Sequence, residues 1–230
     1  MFNFKELLAL VVLIFVLGIA GFLYRNAMER PTFGGPHATT TACTLEAKVC
    51  PNGESVGRAG PTCAFASCPP PNVELPSAGI AFVLPEGYAP MATSSLANPA
   101  IVAAYETIAP TEASTTATIT ISQYPIPEGK TATQVILSET VLDPSGLSPQ
   151  SLQKFASTTL GGSTFLQIQI GRFEGQVRTA YYLPRAHDAL RFDVIERNVT
   201  NWTSPALSVG DLPGHRAIRT LLSTLQVRTQ

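Results

Sequence analysis

The chain has 230 residues, 13% of them charged, and its fifteen Lys and Arg offset sixteen Asp and Glu to a net charge of −1. Charges of both signs are dispersed, which excludes a nucleic-acid binder, because such proteins gather basic residues into a patch or stripe against the phosphate backbone. About 150 residues beyond Pro71 suffice for one domain with a proper core.

At the N-terminus, Leu7 to Tyr24 is an apolar run without a charged residue. Coiled as a helix it extends roughly 27 Å, close to the hydrocarbon thickness of a bilayer. Lys5 ahead of the run gives it the look of a secretory signal. The run is nevertheless longer than a signal core and continues through Phe22, Leu23 and Tyr24, beyond Gly18 and Ala20 where cleavage would fit. Residues 1–28 are therefore read as an uncleaved transmembrane signal-anchor. Arg25 and Arg30 offset Lys5, so the positive-inside rule does not decide orientation. The four cysteines decide it instead, because disulfides persist only in an oxidising compartment. The expectation is a single-pass membrane protein with its C-terminal domain outside the cytoplasm.

Residues 29–42 hold Pro31, Gly34, Gly35, Pro36 and a Thr triplet with no apolar period, which describes a flexible spacer. Residues 43–68 form a four-cysteine module containing Cys43, Cys50, Cys63 and Cys68. Too few apolar residues accompany them to build a core, and two disulfides would supply the constraint at about 2 to 4 kcal/mol each. Pro51-Asn52-Gly53 reads as a turn. Three pairings are open, and spacing does not choose among them. Structural zinc is disfavoured because Cys43 and Cys50 lie too far apart for a ligand pair. Val49-Cys50-Pro51-Asn52-Gly53 with Cys63 loosely resembles the middle of a Kazal-type inhibitor module, which makes protease inhibition a minor alternative. Residues 69–72, opening with Pro69-Pro70-Pro71, form a stiff extended spacer ahead of the domain at 73–230.

Within that domain the apolar period is two. Ile80, Phe82 and Leu84 alternate ahead of Pro85-Glu86-Gly87-Tyr88. Ala117, Ile119 and Ile121 alternate with Thr118, Thr120 and Ser122, and Leu166, Ile168 and Ile170 with Gln167 and Gln169. Further strands are expected over 100–105, 177–183 and 190–196; in the last, Leu190, Phe192 and Val194 share one face, and Arg191 and Asp193 the other. One polar face per strand predicts an antiparallel sheet. Helical spacing is expected at Ala132, Val135 and Ile136. It is expected again from Ser148 as N-cap with Pro149 at the first helical position, placing Leu152, Phe155 and Ala156 on one face. After Pro213, residues Ile218, Leu221, Leu222 and Leu225 follow an amphipathic period opposite Arg216, Arg219 and Thr220.

The expected fold class is α+β, an antiparallel β-sheet covered by helices. Ile80-Ala81-Phe82-Val83-Leu84-Pro85-Glu86-Gly87-Tyr88 resembles the opening element of PsbP-like domains, and Leu221-Leu222-Ser223-Thr224-Leu225 is similar to their closing helix. The resemblance implies a PsbP-like sandwich with extracytoplasmic binding or assembly roles, and carries no metal or cofactor site to this chain.

No catalytic, cofactor or metal residue is assigned. His187-Asp188 falls in a polar segment between two strands, where a hairpin loop is expected; His215 opens the terminal helix; His37 lies in the spacer. No serine is assigned as a nucleophile partnered by a histidine. Gly161-Gly162-Ser163 precedes a strand, so it reads as a turn and not as a phosphate loop, and Asp143-Pro144-Ser145-Gly146 and Pro125 to Gly129 read likewise. Asn198-Val199-Thr200 and Asn201-Trp202-Thr203 fit the glycosylation pattern and are read as unmodified in a bacterial envelope protein, with Trp202 a packing residue. The functional expectation is a non-catalytic binding module whose partner is an envelope protein or cell-wall ligand, with the membrane engaged through Leu7 to Tyr24. A surface hydrolase is the alternative.

Overall fold

The alternation between Ile80 and Glu196 builds strands, and a computed structural model shows seven of them hydrogen-bonded in one antiparallel sheet. The structure describes residues 16–21, 24–25, 43–50, 55–96, 98–108 and 115–228. The chain divides into two compact units, Met1–Thr44 with Ala59–Ala64, and Leu45–Arg58 with Phe65–Gln230.

In the first unit, Val16–Gly21 and Tyr24-Arg25 are helical and exposed, while the rest of the apolar run, the spacer at 29–42 and His37 lie outside the described residues. No helix among the described residues is long and apolar enough to cross a membrane. The Cys43–Cys63 disulfide closes in this unit.

In the second unit, β1 (Ala47–Val49) pairs antiparallel with β2 (Ser55–Ala59), and β3 (Ala64–Phe65) follows. Ala66 N–H donates to the Gly57 carbonyl, and the Arg58 guanidinium sits 4.2 Å over the Phe65 ring while pairing with Glu46. Cys50–Cys68 is the second disulfide. The expected turn at Pro51-Asn52-Gly53 lies outside the described residues.

The main sheet takes β6 (Tyr88–Pro90), β7 (Ile101–Thr107), β8 (Thr116–Pro125), β9 (Ala156–Leu160), β10 (Ser163–Phe173), β11 (Gln176–Pro184) and β12 (Asp188–Arg197), in the spatial order β6-β7-β8-β12-β11-β10-β9. After β8 the chain leaves the sheet, forms α1 (Ala132–Glu139), and re-enters at the far edge as β9. Hairpins then carry it back until β12 closes against β8. Two of these hairpins use two-residue loops with positive φ at both positions, Gly161-Gly162 and Glu174-Gly175, the geometry that matches strand twist. A smaller sheet of β4 (Val73–Leu75), β5 (Ile80–Phe82) and β13 (Gln226–Val227) has β5 in its centre.

Both faces of the large sheet carry a core. On the first, Ile119, Ile121, Phe165, Tyr181, Phe192 and Val194 pack with Ile80 and Phe82 and with Ile218, Leu221, Leu222 and Leu225 from the segment containing α2 (Pro213–Ser223). The stripe expected of the terminal helix is buried, while Arg216 and Arg219 are exposed. On the second face, Ile168, Ile170, Ala180, Tyr182 and Ala189 pack with Ile136 of α1, flanked by Leu142, Leu152 and Phe155. The described residues are thus mostly β-sheet with few helices.

The second face is not simply solvated, because Arg191 and Asp193 are buried there (5% and 3% exposed). Period-two alternation distinguishes polar from apolar faces, but it does not distinguish a polar face in water from one whose charges neutralise each other. The helix expected from Ser148 is a single 3-10 turn, Leu152–Lys154, and Ala156 opens β9. Ser-Thr-Thr at 157–159 favours a strand, the Gly161-Gly162 turn fixes its register against β10, and Leu152 and Phe155 still reach the second core.

Candidate functional site

The register places side chains of the second face in rows across β8, β12 and β11: Thr118, Ile195 and Arg178; then Thr120, Asp193 and Ala180; then Ser122, Arg191 and Tyr182. Alternation puts all of these on one side. Toward Tyr182 the rows run beneath α1, and toward Arg178 they form the floor of an open trough. The trough comprises two adjoining grooves that share Arg178 and Ile195. One, of about 230 Å³, is lined by Thr118, Thr120, Ser122, Tyr124, Asn98 and Arg197, with an apolar wall of Met91, Leu96 and Ile101. The other, of about 270 Å³, is lined by Asp143, Gln176 and the half-exposed Phe173 beside Gly171.

Charge in the trough is organised around Asp193. Its Oδ2 accepts from Arg191 Nε at 2.6 Å, and its Oδ1 accepts from Arg191 Nη2 at 2.8 Å and Arg178 Nε at 3.1 Å. Arg191 also donates to the Glu139 carbonyl at the end of α1 and lies over the Tyr182 ring at 5.4 Å. Such a cation satisfies a helix C-terminus and ties it to the sheet. Burial alone would lower the guanidinium's pKa, but the Asp193 charge outweighs it and raises it. Burial pushes the Tyr182 hydroxyl up to about 12, against the opposing pull of Arg191 and of its hydrogen bond with Thr140 at 2.8 Å. Arg191 is therefore committed to structure. Arg178 reaches Asp143 only at 3.7 Å, and Arg197 donates to Thr118 Oγ1 at 2.8 Å. Among the described residues, neither groove's lining includes a histidine or cysteine that could activate its hydroxyls.

A second polar cluster lies on the first face. His215 Nδ1 is 3.1 Å from Glu196 Oε2 and Nε2 is 3.0 Å from Thr179 Oγ1, while Gly214 N–H donates to the same Glu196 oxygen at 3.1 Å. A hydroxyl, imidazole and carboxylate in line have the order of a nucleophilic relay, but all three residues are at most 1% exposed and no substrate reaches them. The cluster instead caps a helix. Leu212 at the N-cap of α2 supplies no side-chain bond, and Glu196 accepts the orphan N–H from the sheet below. Among the described residues, Glu196 Oε1 is buried with no hydrogen-bond partner. Burial, then the Glu196 charge, pushes the Tyr88 hydroxyl up to about 12. Gly214 permits the close approach, since a Cβ there would stand 2.5 Å from the Ala117 methyl.

Of the candidates weighed from sequence, His187 is exposed between β11 and β12. Asp188 is held by Arg185 at 2.5 and 2.6 Å and by Gln123 at 2.6 Å, and neither joins the trough. The cysteines adopt one of the three open pairings, Cys43–Cys63 and Cys50–Cys68. Pro69, Pro70 and Pro71 line a groove of about 340 Å³ with Val83, Thr224 and Gln226. Asn198 and Asn201 are exposed after β12, and Trp202 is half-buried in the turn there. Among the described residues no three His, Cys, Asp or Glu gather where they could hold a metal. Sequence reasoning missed Arg178 and Arg197; the available signal was that each continues the polar phase of its strand.

No family model matches the chain, and no curated protein matches it. Among solved structures it is similar to a cyanobacterial PsbP (CyanoP) from Synechocystis sp. PCC 6803, at 13% identity and a TM-score of 0.40, covering 70% of this chain and 98% of that one. It is also similar to a protein from Bacteroides thetaiotaomicron VPI-5482, at 10% identity and a TM-score of 0.38, covering 66% of this chain and 46% of that one. The match therefore spans under half of the Bacteroides chain.

Proposed function

We propose that the chain is a membrane-anchored cell-envelope protein whose exported domain, a PsbP-like α+β sandwich in its element order, binds a polar ligand in the trough without transforming it. The observation that carries this reading is the open polar half of the second sheet face. Its hydroxyls and guanidiniums are set by neighbours before any ligand arrives, which reduces the ordering cost of binding. Export is supported by two disulfides, and anchoring by the apolar run Leu7 to Tyr24. The partner is an envelope protein or a cell-wall ligand.

Two measurements test it. Protease added to intact cells should degrade the domain while the chain stays with membranes, and recovery of full-length chain in the cytosolic soluble fraction would sink the assignment. The purified full-length chain in detergent should co-sediment with isolated cell envelopes, and Thr118→Arg, which fills the trough, should release it. Undiminished sedimentation of that variant would remove the trough from binding.

A further inference from the structure

The structure assigns the trough a ligand chemistry: we infer that it takes an acidic sugar, with one carboxylate seated between Arg178 and Arg197 and the hydroxylated ring along β8. This rests on the binding reading above. Arg178 stands opposite Ile195 and Arg197 two residues further along β12, so the two arginines are diagonal neighbours on one face, roughly 7 to 8 Å apart at their backbones. That separation leaves room for one carboxylate between two long side chains. Asp193 is neutralised chiefly by Arg191, which donates to both its oxygens, and takes only Nε from Arg178. Each guanidinium carries five N–H donors. Arg197 spends one on Thr118, and Arg178 spends Nε on Asp193 and makes only a long contact with Asp143. Both therefore retain N–H groups for an oxyanion.

The surrounding groups select a single negative charge on a hydroxylated body. The lining holds Arg178, Arg191 and Arg197 against Asp193 and Asp143, a surplus of one positive charge. Glu106 stands opposite Thr118 on β7, on the same face and exposed; outside the lining itself, it offsets that surplus at the rim, so a second negative charge on the ligand would meet net repulsion. Thr118, half-buried at the groove's mouth, leads along β8 to the hydroxyls of Thr120 and Ser122, which are buried in its floor, and Tyr124 beyond them receives the Asn98 amide at 3.2 Å. Past Arg178, the half-exposed Phe173 ring offers apolar surface beside the Gln176 amide, a pairing suited to a ring whose edge is polar and whose face is C–H.

The test is calorimetric titration of the full-length chain in detergent with glucuronate, with a tetrasaccharide containing glucuronate, and with the matching neutral glucose oligomer; the first two distinguish a free sugar acid from one within a polymer. Glucuronate compounds should bind at least about tenfold more tightly than the neutral oligomer, as expected for charge-assisted bonds. Arg197→Gln should weaken them by about tenfold with the melting temperature unchanged. Arg178→Lys, which keeps the charge and loses the fork, should weaken them less. Equal binding of the neutral oligomer, or unchanged binding by Arg197→Gln, would overturn the carboxylate seat while leaving a sugar-binding trough. If no sugar binds although Thr118→Arg still abolishes envelope sedimentation, the acidic-sugar assignment fails and the binding reading stands.

Discussion

The two faces of the central sheet bury polar residues to different ends. On the first face, His215, Glu196 and Thr179 are sealed under α2, and every contact they make holds that helix to the strands. On the second, Arg191 and Asp193 are equally buried, but they sit where the cover by α1 ends, so the charge they organise continues into side chains that meet solvent. Burial of a polar group is thus no guide to function by itself. What separates the clusters is whether the network closes on itself or leaves donors facing open space, and each face predicts its own failure when cut.

The largest effect is expected where a charge would be left unpaired. Asp193→Ala strips Arg191 and Arg178 of their shared acceptor, and breaking a buried pair from one side costs about 3 to 5 kcal/mol. Urea denaturation measures it. A loss below about 1 kcal/mol would mean that solvent reaches Arg191 and that the second face is no different from a surface. Leu222→Ala removes a fully buried side chain from the first core and should cost about 2 to 5 kcal/mol; near-native stability would take α2 out of that core.

Gly214→Ala comes next. The added methyl meets Ala117 Cβ at 2.5 Å and Glu196 Oε2 at 3.0 Å, both on strands that cannot easily yield, and overpacking of this kind costs about 1 to 3 kcal/mol. The variant sharpens the contrast between faces, because it should lower the melting temperature while sedimentation with cell envelopes at 20 °C persists. Loss of sedimentation in a folded Gly214→Ala protein would couple the two faces.

The sheet was legible in the sequence wherever strands ran seven residues or more with one apolar side, as at Ile119 and Ile121 or Phe192 and Val194, and the α2 stripe was legible from its period. Strands of two or three residues, β4, β6 and β13, have no period to read. Ser148-Pro149 with Leu152 and Phe155 fits a helix start, yet the same spacing fits one 3-10 turn, and the outcome was settled by β10 offering a partner to 156–160. The pairing of His215 with Glu196, nineteen residues away, has no sequence signature, because it depends on β12 passing beneath α2. The trough was half legible: Thr118, Thr120 and Ser122 mark the polar side, but nothing in their spacing says where α1 stops.

The smallest effect belongs to the β11–β12 hairpin, outside both networks. Burial pushes the Asp188 carboxyl up, but hydrogen bonds from Arg185 and Gln123, with the Arg185 charge, outweigh it and hold the group below the usual carboxylate range. A carboxyl depressed in the folded state contributes stability that is fully present above its unfolded pKa of about 3.9 and is lost as pH falls through the lower folded value. Asp188→Asn should therefore melt below the parent at pH 7, with the gap closing in acid below about pH 4. His187→Ala, next to it and exposed, should stay within about 0.5 kcal/mol of the parent throughout. A gap for Asp188→Asn that is constant from pH 7 to pH 2 would assign its cost to shape and not to charge. The ion pair with Arg185 would then contribute nothing to the fold, as many partly exposed pairs do.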